Sequence, residues 1–297
     1  MKKYAHVKFG VLATIALLII LASACNQEDK KNESNNQGIV PVDSLNSSKS
    51  IMQYMHNQSL VYTKYKLPLP VDLYQYLREN KPTFDKNILN PRENTNRFKR
   101  NVDKAINLGF YSADLAYCSI LENKEEAIEY FKVTQQLSID LKIDIGYSEA
   151  MVERFNRNLE SPDSLYTISN DIYWKTCNYL EENEDVNILP FIIVGSWLES
   201  VYLSINAFPN SGENKDIVKM VEVQAPAIDN LIEYLYRTML DMKVFAVNAD
   251  IQKFSNMLKD IRKSYDKLEE SGMTSILYDE ITQKYRVYRE QYLFVEY

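Results

Sequence analysis

Residues 251–268 read IQKFSNMLKDIRKSYDKL, and Ile251, Phe254, Leu258, Ile261, Tyr265 and Leu268 within them are spaced 3, 4, 3, 4, 3. That recurrence lays one apolar ridge along an α-helix. Working backward, Ile228, Leu231, Leu235, Met239, Met242 and Ala246 repeat the pattern; working forward, Leu277, Ile281, Tyr285, Tyr288 and Tyr292 form another stripe. From Ile51 onward no alternating β-branched run is bounded by turn dipeptides. The reading is an all-α fold: a multi-helical bundle or short array of antiparallel helices, each burying its ridge against a neighbour.

The punctuation agrees. Ser161-Pro162 is an N-cap followed by proline at the first helical position, where its missing N–H costs nothing. Asn123 with Glu125 and Glu126 caps another start and places acids at the positive end of the helix dipole. Pro209-Asn210-Ser211-Gly212 is a turn, Pro226 opens a helix and Ser271-Gly272 closes one. Helices are predicted over 51–64, 71–80, 92–122, 124–143, 147–160, 162–182, 188–207, 214–223, 226–247, 249–270 and 274–294. Leu67-Pro68-Leu69-Pro70 is expected to lie extended across the outside of the bundle. GFYSADLAYCSI (109–120) can be laid over VGSWLESVYLSI (194–205), matching Asp114 with Glu199 and Tyr117 with Tyr202, as an internal duplication of a helical hairpin would.

Composition excludes several chemistries. With 7 glycines in 297 residues, glycine-rich phosphate cradles and dinucleotide fingerprints are absent. Two histidines, His6 and His56, cannot build a His-rich zinc site, and three cysteines make no disulfide scaffold or metal knuckle. No metal site and no cofactor is implied.

The N-terminus reads as an address. Lys2, Lys3 and Lys8 precede an uncharged apolar run from Phe9 to Ala22, then the small residues Ser23 and Ala24, then Cys25. The run has signal-peptide length and falls short of the ~20 apolar residues of a spanning helix. This end resembles a bacterial lipoprotein signal, in which the cysteine becomes the lipidated N-terminus. Here Leu21 stands four residues before Cys25 and Ala22 takes the usual leucine position, so Ala22-Ser23-Ala24 also fits ordinary secretory cleavage. The resemblance implies removal of residues 1–24, a lipidated Cys25, and a membrane contact made through acyl chains of the palmitate kind. Residues 25–50 are Asn, Ser, Gln and charge, a disordered polar tether, leaving 51–297 as a single helical domain.

Losing three lysines leaves 31 basic against 41 acidic residues, a mature charge of −10. Nucleic acid is therefore not an expected partner, and anionic lipid head groups would repel the body. Glu28 and Asp29 just after Cys25 resemble the acidic export signal of surface lipoproteins in the Bacteroidota. The lipoprotein end, the Asn-rich tether and the piece INLGFYSADLAYCSI (106–120) together resemble the uncharacterised all-helical lipoproteins of that phylum. The resemblance implies a cell-envelope location, on the periplasmic face of the outer membrane or the cell surface, and carries no activity. The His-x-x-Glu motif of imelysin-like proteins has no match, and SusD-like glycan-binding lipoproteins are much longer.

Asp114 is the most informative polar residue. It shares an i, i+3, i+4, i+7 face with Tyr111, Leu115 and Cys118 that is otherwise apolar. A carboxylate there is paired, hydrogen-bonded or protonated. It reads first as a structural acid; the alternative is a ligand contact or acid–base group, with Glu199 as the second carboxylate of a glycosidase-like pair. Tyr111, Tyr117 and Trp197 complete the candidate ligand site, since aromatic rings stack on sugars, although all three also sit beside apolar stripes. Glu149 and Glu153 read as a solvated face, and Cys118 and Cys177 as buried free thiols, with a disulfide between them as the alternative outside the cytoplasm. The expected function is a non-enzymatic binding or scaffolding module with an envelope protein partner or a glycan. The alternatives are a glycan-directed binding protein or hydrolase, and a carrier of an apolar ligand.

Overall fold

The structure is a computed structural model that describes residues 59–293 apart from 69, 186, 209 and 242–244. The chain divides into two units, 1–41 and 42–297, and every described residue belongs to the second. The predicted signal peptide, Cys25, the tether and His56 lie outside the described residues.

Among the described residues all regular structure is helical. There are eleven α-helices: α1 (Leu60–Tyr65), α2 (Pro70–Asn80), α3 (Asn101–Ile120), α4 (Lys124–Leu141), α5 (Glu149–Arg157), α6 (Pro162–Glu182), α7 (Leu189–Asn206), α8 (Lys215–Glu222), α9 (Ala225–Asp241), α10 (Phe245–Ser271) and α11 (Ser275–Leu293). Short 3-10 turns occupy Lys86–Ile88, Arg92–Arg97, Asp144–Tyr147 and Ser211–Glu213.

The caps form where the sequence places them. Ser161 accepts from the Ser164 N–H, Asn123 from Glu126, and Asn214 from Asp216 and Ile217, so each start satisfies backbone donors that a helix end leaves open. Gly272, at φ +69°, ends α10 in the left-handed conformation that a side chain disfavours.

Helix α7 is apolar on every side and lies at the centre, with all its residues from Leu189 to Ile205 buried. It is long and apolar enough to cross a membrane by composition, yet is 94% buried inside the protein, so it reads as a core helix. Its main partner is α3, with α2, α11 and α8 around it. Sequential helices pair antiparallel: Lys104 reaches Asp140 across α3 and α4, and Lys267–Glu280 and Lys284–Asp260 bridge α10 and α11. The α3–α7 pair runs the other way. Gly109 meets Ser196, and the Tyr74 hydroxyl sits between the Ala113 carbonyl and Ser200, so positions ascend together along both helices. The 109–120 and 194–205 stretches are thus packed side by side in the same sense, bringing their matched acids to one place.

Two readings need correction. The predicted helix 92–122 is broken: Arg92–Arg97 is a 3-10 turn and α3 starts only at Asn101. Phe98 is buried in extended conformation, and the carbonyls of Asn90 and Pro91 are taken by the Tyr130 and Tyr111 hydroxyls. Burial of Phe98 in that conformation separates the 3-10 turn from α3. Of the helix expected over 226–247, residues 242–244 lie outside the described residues, and Ala225–Asp241 and the stretch from Phe245 on are helical. Leu67, expected on the outside, is in the core, and Pro70 opens α2.

Candidate functional site

Asp114 on α3 and Glu199 on α7 meet in the interior, each with 0% of its surface exposed. Helix packing brings them together, and two further elements complete the group. Arg289 of α11 donates through Nε to Glu199 Oε2 at 2.7 Å and through its other nitrogen to the Ile88 carbonyl at 2.8 Å. Its guanidinium lies 3.9 Å above the Tyr202 ring. Asn90, from the segment between α2 and α3, gives its side-chain amide to Asp114 Oδ2 at 2.6 Å and its backbone N–H to the same oxygen at 3.3 Å.

The electrostatics follow from the burial. Loss of solvent pushes the Asp114 carboxyl well above the usual range, and neighbouring Glu199 adds to the shift, while Arg289 and Asn90 oppose it. Glu199 is raised by burial too, but the Arg289 guanidinium opposes the shift and favours its charged form. Burial opposes the charge on Arg289, yet Glu199 outweighs it and keeps the guanidinium charged.

The other three candidates surround this group as core residues, each 1% exposed or less. The Tyr111 hydroxyl donates to the Pro91 carbonyl at 2.7 Å. The Tyr117 hydroxyl accepts from the Asp85 N–H at 3.3 Å and its ring packs on Phe84; burial pushes its pKa up to about 12. The Trp197 ring N–H donates to Gln224 at 3.2 Å and its ring meets Tyr285 edge-on. Asp114, Glu199 and Tyr111 therefore belong to one neighbourhood. Tyr117 lies a turn further along α3, and Trp197 faces α11 through Tyr285. None of the five lines three hollows among the described residues, of about 430–460 Å³, around Ile145 and Tyr179, around Lys81 and Glu122, and around Lys64 and Arg237.

Sequence reasoning missed Arg289 and Asn90. The signal for Arg289 was present: it falls four residues after Tyr285 and three before Tyr292, a stripe position where only a partnered charge is stable. Asn90 has no such signal, since Leu89-Asn90-Pro91 is an aperiodic loop. Glu153 lies on the surface and pairs with Arg157, and the free thiols of Cys118 and Cys177 are buried. Among the described residues no three His, Cys, Asp or Glu side chains are grouped to hold a metal ion.

Chemically, the arrangement can hold charge and protons in a dry interior and lock four segments together. No protein-family model, curated protein or solved structure matches this chain, so its function is read from its own residues.

Proposed function

We propose that this chain is an exported, lipid-anchored protein of the cell envelope, held at the outer membrane through Cys25, whose helical body binds or scaffolds a partner rather than catalysing a reaction. The observation that carries the non-catalytic part is the sealing of Asp114 and Glu199. The residues best suited to acid–base work are enclosed between α3 and α7, with one oxygen of each held by Asn90 or Arg289. A glycoside hydrolase needs both carboxyls at a cleft that admits sugar and water, which favours scaffolding over the glycan alternative. The anchoring part rests on the order Lys2-Lys3, apolar run, Ala22-Ser23-Ala24, Cys25.

Two measurements test the reading. Intact mass of the mature wild-type protein should exceed that of its 25–297 polypeptide by attached lipid, and Cys25→Ser should leave the membrane fraction with its helical content intact. An unmodified soluble wild type would overturn the anchor. Crosslinking in the native envelope should then return a reproducible protein partner. Turnover of a defined glycan, lost in Asp114→Asn, would overturn the scaffolding role.

A further inference from the structure

The Asp114–Glu199 cluster leaves three buried oxygens without a donor: Asp114 Oδ1, Glu199 Oε1 and Asn90 Oδ1. Buried acceptors are nearly always satisfied, so three in one group call for an explanation. The charges also fail to balance. Among the described residues Arg289 is the one cation in contact, and two ionised carboxylates would leave a net negative charge at a place with no exposure to water.

We propose that the pair is a proton-binding site: Asp114 retains one proton at neutral pH and donates it to Glu199, so that Asp114, Glu199 and Arg289 form a neutral unit inside the fold. One proton removes the surplus charge and supplies the donor missing between two of the orphaned oxygens. The donor geometry says which acid keeps it. Glu199 faces a guanidinium at 2.7 Å and stays ionised, while the donors to Asp114 are the neutral amides of Asn90. The groups that face Asp114 do not alter the balance. Glu199 comes from α7, Arg289 from α11, Tyr74 from α2, Tyr130 from α4, and Tyr111, Tyr117 and Cys118 from its own helix. Burial pushes all four phenols and the thiol toward the alkaline side, leaving them neutral in the physiological range.

The sign of the linkage is opposite to that of ordinary surface carboxylates. An aspartate in the unfolded chain titrates near ~3.9. The folded group holds its proton above that pH, so its contribution to stability is complete below about pH 4 and is lost as pH rises toward the folded value. Within that window the contribution changes the unfolding constant by about tenfold per pH unit, one proton being released on unfolding.

The test uses the purified full-length chain with ¹³C-labelled aspartate. One carboxyl signal should remain at the protonated position at pH 7 and be missing from Asp114→Asn. In urea titrations between pH 5 and 8 the wild type should lose stability relative to Asp114→Asn by about tenfold in the unfolding constant per pH unit. All aspartate signals ionised at pH 7, or parallel pH profiles for the two proteins, would overturn the proposal. Should Asp114→Asn fail to fold, the wild-type carbon signals decide alone. Saturable stabilisation by added sodium at pH 8 would assign the orphaned oxygens to a metal ion and also overturn it.

Discussion

Gly109 of α3 and Gly195 of α7 press their backbones against each other at the crossing of the two central helices. A Cβ built on Gly109 would stand 2.4 Å from the Ile192 carbonyl oxygen and 2.6 Å from the Ser196 nitrogen, and one on Gly195 would stand 2.3 Å from the Ile106 carbonyl oxygen. The obstacles are backbone atoms, so no rotamer change relieves them. Gly109→Ala and Gly195→Ala should each cost about 1–3 kcal/mol by overpacking, despite alanine's better helix propensity. Because either change alone already forces the helices apart, the double variant should cost less than the sum. Urea midpoints of the four proteins check this; wild-type stability in either single variant would refute the close crossing.

Arg289 should be harder to replace than any other arginine. Removing it leaves Glu199 charged and buried, which typically costs about 3–5 kcal/mol. Arg289→Met should show a loss of that size. Arg289→Lys should not restore it, because a single ammonium cannot serve Glu199 and the Ile88 carbonyl while lying flat on Tyr202. Chemical denaturation compares the two, and a lysine variant as stable as wild type would contradict the two-pronged role.

Leu258 sits at the centre of the α10 ridge with no exposed surface. Leu258→Ala should lower stability by about 2–5 kcal/mol through lost transfer energy and a cavity. A loss under ~1 kcal/mol would place the true core elsewhere.

Glu181, near the end of α6, grips the start of α1, accepting from the Ser59 hydroxyl at 2.7 Å and from the Val61 N–H at 2.9 Å. Glu181→Ala should release that end and speed hydrogen exchange across 60–66 with little change in the global midpoint, since Tyr62 and Leu67 still anchor the helix in the core. Unchanged exchange at Val61 would show that the grip is dispensable.

The sequence displayed the fold well because its helices are long, capped and striped. The ridge from Ile251 to Leu268 could be placed by spacing alone, and five of its six members are buried, Leu268 being half-buried. The break at Phe98–Arg100 was hidden, since Phe98 stands among residues that read as helical and only its burial in extended conformation interrupts them. The candidate site was half legible. An acid on an apolar face betrayed Asp114, and the overlay of 109–120 on 194–205 pointed to Glu199. That the two would touch depended on α3 and α7 lying parallel, which pairing of chain neighbours does not predict. The same enclosure turned Tyr117 and Trp197 into core residues.

Glu199 has a second consequence before folding begins. The stretch that becomes α7 is the one described segment whose length and composition suit a bilayer. A chain exported unfolded, as proposed here, would present that segment to the translocation machinery with its future partners absent. A carboxylate near the middle of such a segment opposes lateral insertion by a few kcal/mol, about 2.5–3.5 on insertion scales for aspartate. If the chain is exported in that way, the acid that Arg289 pairs with in the finished protein would also disfavour arrest of the nascent chain in the membrane.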